Sequence, residues 1–147
     1  TMYTASTISS STLDATPRRR SALHVPAIGA LAATVANVAL WAGGRAADVG
    51  FLVSPLTGDP TTQVGVVQVV LTTLVTFAVG SAILALAARR SRRWVRVVMA
   101  AAAVVAVVSA IGPLSTAHDT ATGALLAAMH LVTGATFVVT AARVRAR

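Results

Sequence analysis

Four long apolar blocks, separated by short polar stretches, set the pattern of this chain. They run from about Ala22 to Ala42, Val64 to Ala88, Trp94 to Gly112 and Ala121 to Ala142. Each is close to the roughly 20 apolar residues that an α-helix needs to cross a hydrocarbon core about 30 Å thick. Backbone groups in lipid must be satisfied within the segment itself, which a helix achieves. The pattern predicts an all-α fold, an integral membrane four-helix bundle over residues 21–147, preceded by a tail over 1–20.

The polar stretches punctuate this pattern. Thr1 to Thr16 is rich in Ser and Thr without apolar periodicity and leads into Pro17 and Arg18 to Arg20, which reads as a disordered cytoplasmic tail. Pro26 falls in the first turns of the first span, where proline is tolerated. Gly43 and Gly44 are expected to close that helix, and Pro113 to stop the third, before a short turn over Ser115 to Thr120. Ser54, Pro55, Gly58, Asp59 and Pro60 make Arg45 to Gln63 a loop. Its apolar Phe51, Leu52 and Val53 leave two readings open: a plain connector, or a segment folded down over the mouth of the bundle.

Composition agrees with the pattern. The chain is 56% hydrophobic and 11% charged, with mean hydropathy +0.79, whereas a soluble domain carries about 25% charged residues. Cysteine is absent, which removes disulfides, thiolate metal sites and cysteine nucleophiles. A net charge of +8 would suggest nucleic acid in a soluble protein. Here the arginines flank the spans, so no nucleic-acid partner is expected.

Charge also predicts orientation. All basic residues are arginine, and eleven of the twelve lie at one end of the spans: Arg18 to Arg20, Arg89, Arg90, Arg92, Arg93, Arg96, Arg143, Arg145 and Arg147. Arginines near span ends are retained on the cytoplasmic side, so both termini are expected there, in a multi-pass protein of the plasma membrane. Trp41 and Trp94 then fall near opposite interfaces, where aromatic residues collect. The first span is longer than the apolar core of a cleaved signal peptide, and its removal would strand the remaining charges, so it is expected to be retained.

Polar residues within spans are the candidates for chemistry. Asn37, Gln68, Ser109 and His130 lie one to a span, all at or beyond the midplane toward the arginine-poor side. Asn37, Trp41, Arg45 and Asp48 follow spacings of four, four and three along one helical stripe, and Thr133 shares a face with His130 as Thr72 does with Gln68. Two readings compete: interhelical hydrogen bonds that fix packing, and a ligand pocket in the outer half using Asn37, Trp41, Arg45, Gln68, His130 and Thr133. No second histidine or carboxylate stands three or four residues from His130, so neither a metal nor another cofactor is expected. His118 and Asp119 read as a solvated pair in the outer turn. No phosphate-binding loop, nucleophile elbow or pair of catalytic carboxylates occurs. Gly29 with Ala33, Ser81 with Ala85, Ala102 with Ala106, and Gly123 with Ala127 offer small faces for close helix packing.

From about Val35 to Arg143 the chain resembles a family of small actinobacterial membrane proteins classed as domain of unknown function six-zero-six-nine. The resemblance rests on Ala36, Asn37 and Leu40-Trp41 in the first span, Ser109, Gly112 and Pro113-Leu114 at the end of the third, and His130, Leu131, Val132 and Gly134 in the fourth. It implies four spans and assigns no activity. The expectation is a non-enzymatic accessory or binding subunit held in the lipid bilayer, as a homo-oligomer or within a larger membrane complex. The alternatives are a small-molecule or lipid binding or transport protein with a polar outer pocket, and a membrane enzyme using His130.

Overall fold

The structure, a computed structural model, describes residues 17–54 and 61–145. The expected tail over Thr1 to Thr16, and the turn formers Pro55, Gly58, Asp59 and Pro60, lie outside the described residues. Four helices dominate: α1 (Pro17–Ala46), α2 (Val66–Arg90), α3 (Arg92–Thr116) and α4 (Thr120–Arg145). Each contains a stretch long and apolar enough to cross a membrane. Large apolar side chains such as Ile28, Leu31, Leu71 and Val104 point outward, as a lipid-facing surface requires.

Several helix ends differ from expectation, for one physical reason: hydropathy marks the part of a helix that lies in lipid, whereas hydrogen bonding sets its length. α1 begins at Pro17, so the arginine run is helical and Pro26 is internal to it. Gly43 and Gly44 do not end the helix. A Cβ on Gly44 would lie 2.6 Å from the Phe51 ring and 2.7 Å from Leu125, so that glycine provides room for a close approach. Pro113 likewise sits inside α3. One missing N–H near the end of a helix removes a single bond, and the Ser115 and Thr116 hydroxyls donate to the Gly112 carbonyl at 2.8 and 3.0 Å.

Ser91 ends α2 and begins α3, taking extended backbone (φ −171°, ψ 162°) between them. Its hydroxyl oxygen accepts from the Trp94 N–H at 3.4 Å. From this tight hairpin, α3 packs extensively on α4, α4 on α1 and α1 on α2, while α2 and α3 meet sparingly. Small residues allow the close pairs. Gly29 lies against Thr140 and Phe77, and Gly134 against Ala106. Ala33 and Ala127 are buried. The Ser81–Ala85 pair is not such a face, because Ala85 is exposed.

The core has two apolar clusters. One, toward the arginine-rich hairpin, contains Phe77, Leu84, Val95 and Phe137, with Phe77 and Phe137 edge to face at 5.5 Å. The other, at the opposite end, contains Phe51, Val69, Leu126 and Met129. Phe51 belongs to the connection between α1 and α2, so that segment folds down onto the bundle. Its backbone takes φ +53°, a conformation costly for a bulky residue, and its ring is 0% exposed.

Two short strands follow, β1 (Leu52–Val53) and β2 (Thr62–Gln63), paired antiparallel. The other edge of β1 bonds to the α3–α4 turn, through Ser54 N–H to the Thr116 carbonyl at 2.9 Å and His118 N–H to the Leu52 carbonyl at 3.0 Å. Residues 52–54 thus strap the α1–α2 and α3–α4 connections together.

Candidate functional site

Because α2 and α3 meet sparingly beyond their hairpin, a groove of about 540 Å³ opens between them, with α4 behind and Asn37 of α1 at its floor. That volume falls in the range of roughly 300–1,000 Å³ common for ligand sites. The walls are apolar: Val79 and Ile83 on α2, Ala101 and Val105 on α3, Leu126 and Phe137 on α4. The lining described includes no Asp, Glu, Lys or Arg. Its polar members are Asn37, Gln68, Thr72, Thr73, Thr76, Ser109, His130 and Thr133.

Asn37 is the hub. Its side-chain Nδ2 donates to Thr73 Oγ1 at 3.0 Å and to Thr133 Oγ1 at 2.8 Å, tying α1 to α2 and α4. The orientation of the amide follows from its partners. Thr73 Oγ1 donates to the Val69 carbonyl at 2.7 Å, and Thr133 Oγ1 to the Met129 carbonyl at 2.8 Å. Each hydroxyl has one proton, so both oxygens can only accept from Asn37. The amide must turn its NH2 toward them, and neither threonine can donate to Oδ1. That oxygen is buried and has no hydrogen-bond partner, although Asn37 as a whole is only 2% exposed. Unsatisfied buried acceptors are uncommon and call for an explanation.

Two of the other groove hydroxyls follow the same pattern. Thr72 donates to the Gln68 carbonyl at 2.7 Å and Ser109 to the Ala106 carbonyl at 3.2 Å. His130 Nδ1 donates to the Leu126 carbonyl at 2.8 Å, which leaves Nε2 of the neutral ring as an acceptor.

Of the six residues singled out for a pocket, Asn37, Gln68, His130 and Thr133 line the groove together. Trp41 and Arg45 do not. The Trp41 Nε1–H donates to the Val64 carbonyl at 3.0 Å, and the ring stacks with Phe51 at 6.3 Å. Arg45 is exposed and bonds to the Val49 carbonyl at 3.3 Å. The helical stripe through Asn37, Trp41 and Arg45 drifts, since each step of four residues rotates by about 40°. Thr73 was missed by the sequence reading, which paired Gln68 with Thr72. The signal was present: Val69, Thr73 and Phe77 are four apart and form the buried face of α2.

The α3–α4 turn serves structure. Asp119 caps α4, its carboxylate accepting from the Thr122 N–H at 2.8 Å and the Thr122 hydroxyl at 2.7 Å. These bonds, the backbone one foremost, hold its carboxyl below the usual carboxylate range. His118 Nε2 lies 2.9 Å from Ser54 Oγ and 3.2 Å from Thr61 Oγ1, so it also joins the strap, while both it and Asp119 stay exposed. Among the described residues, no group of three or more His, Cys, Asp or Glu could hold a metal.

Four apolar helices around a lateral groove define a small membrane protein of the four-helix bundle class. The chain belongs to a family of unknown function (DUF6069), which it matches over residues 17–147. No curated protein and no solved structure matches it.

Proposed function

We propose that this protein is a non-enzymatic binding protein that holds a largely apolar, membrane-soluble molecule in the groove between α2 and α3. The observation that carries the reading is the groove itself: apolar walls at membrane depth converging on one buried polar cluster, Asn37 with Thr73 and Thr133. A few placed polar groups in an apolar cleft give a ligand its orientation. The groups on the lining include one imidazole and no carboxylate, a thin set for acid–base catalysis. A role as accessory subunit would put a helix of a neighbouring membrane protein in the same place. The distribution of arginines supports an orientation with both chain ends in the cytoplasm of a cell bounded by this membrane.

Photolabelling in vesicles tests the reading, using a long-chain alcohol that bears a diazirine in its tail. Saturable labelling of α2 and α3 residues that face the groove is expected, and Val105→Trp, which fills the groove, abolishes it. Labelling spread evenly over the lipid-facing surface and indifferent to Val105→Trp would refute it. So would purification from native membranes with a partner's helix cross-linked into the groove. Reporter tags at the two ends test orientation, and tags on opposite sides of the membrane would overturn it.

A further inference from the structure

We infer that the groove selects a neutral molecule that brings a hydroxyl as a hydrogen-bond donor, and that the acceptor waiting for it is Oδ1 of Asn37. This inference rests on the binding role proposed above and gives the chemical class of the occupant.

The argument starts from where the protons are. Thr72, Thr73, Ser109 and Thr133 all line the groove, and each spends its only hydroxyl proton on a carbonyl of its own helix. Both protons of the Asn37 amide go to Thr73 and Thr133. His130 Nδ1 gives its proton to Leu126. Gln68 and Thr76, exposed on the rim of the groove, keep side-chain donors of their own, but around Asn37 the buried cluster presents only acceptors: Oδ1 and the lone pairs of the Thr73 and Thr133 hydroxyls. At its floor, Asn37 Oδ1 is buried without any donor. At that buried cluster, a ligand that only accepts hydrogen bonds, such as a ketone, an ether or an ester, would set acceptor against acceptor and leave both unsatisfied. A ligand with a donor completes the cluster.

Charge decides among donors. An ammonium group also donates, yet the described lining holds no carboxylate to balance it, and an uncompensated charge at this depth is strongly disfavoured. The apolar walls require the remainder of the molecule to be hydrocarbon-like. An alcohol with a long or branched aliphatic body satisfies each condition.

The amide is also held in place. Because the two threonine oxygens can only accept, rotating the Asn37 amide by half a turn would face its oxygen toward two further acceptors. Thr73 and Thr133 therefore act as positioning residues that fix which end of the amide the ligand meets. Their removal should relax the preference for donors without closing the groove.

The test compares two probes with the same diazirine-bearing hexadecyl chain, the alcohol and its methyl ether, competing for the groove of the full chain in vesicles. The alcohol is expected to half-saturate labelling at about three- to tenfold lower mole fraction than the ether, the range of one net hydrogen bond. Asn37→Leu should remove the advantage of the alcohol, so that the two probes compete with equal strength. In the double variant Thr73→Val with Thr133→Val the freed amide can present either end, so the ether should gain on the alcohol. Melting temperature measured alongside confirms that each variant is folded. If the two probes bind the native groove equally, the donor assignment is overturned while the binding role stands. An ordered water found on Asn37 Oδ1 in the occupied protein, with no ligand contact, would overturn it as well. If neither probe labels the groove saturably, both readings fall.

Discussion

Replacing Asn37 with leucine should leave the empty protein as stable as before or more so, although Asn37 is among its most buried polar residues. Two interhelical hydrogen bonds disappear, from Nδ2 to Thr73 and to Thr133. In membrane proteins such bonds average about 0.6 kcal/mol, so together they contribute about 1 kcal/mol. The two threonines are not stranded by the change, because each still donates to its own helix. Against that loss stands the relief of an acceptor that is buried without a partner, worth about 1–3 kcal/mol. The net expectation runs from no change to about 2 kcal/mol of added stability. Reversible unfolding in mixed micelles measures it, with Asn37→Ala alongside to separate any crowding by the larger leucine. Both variants losing more than about 2 kcal/mol would show that Oδ1 is satisfied in the protein, and the reasoning would fail.

Three further outcomes follow from the geometry. Phe51→Ala removes a fully buried ring from among Val69, Leu126 and Met129; a loss of about 3 kcal/mol is expected, with faster amide exchange in residues 52–54, and unchanged exchange there would contradict the role of the ring. Gly134→Ala places a methyl against Ala106 and should destabilise by about 1–3 kcal/mol, read as a lower melting temperature; an unchanged value would mean that α3 can shift freely on α4. Asp119→Ala should melt lower than the native chain at neutral pH, because the α4 cap is lost. The depressed carboxyl of Asp119 contributes its stability above the ordinary carboxylate value and loses it as pH falls through the folded value. The two melting curves should therefore converge as pH falls below the folded value of Asp119, and a constant gap would argue against the cap.

The sequence was most legible where a single physical effect dominates. Long apolar blocks announce membrane spans whatever their neighbours do, so α2 and α4 lie close to the expected limits. Gly44 and Pro113 were misread because glycine and proline have several uses. Packing of Phe51 and Leu125 explains the first, and the end of a helix tolerates the second. Within the site, polarity inside a span picked out Asn37, Gln68 and His130, and spacing added Thr133; the structure places all four on one groove. Spacing could not show that Trp41 turns to Val64 or that Thr73 is a direct partner of Asn37. Both depend on which helix each face meets, a tertiary fact absent from any one helix.

The sparing contact between α2 and α3 has a practical consequence for measuring affinity. With α4 and α1 closing its back, the cleft opens sideways, so a ligand of the kind proposed would arrive by diffusion within the plane of the lipid without entering water. Its apparent strength of binding then scales with moles per mole of surrounding phospholipid, and titrating the same compound against a larger quantity of vesicles will appear to weaken it.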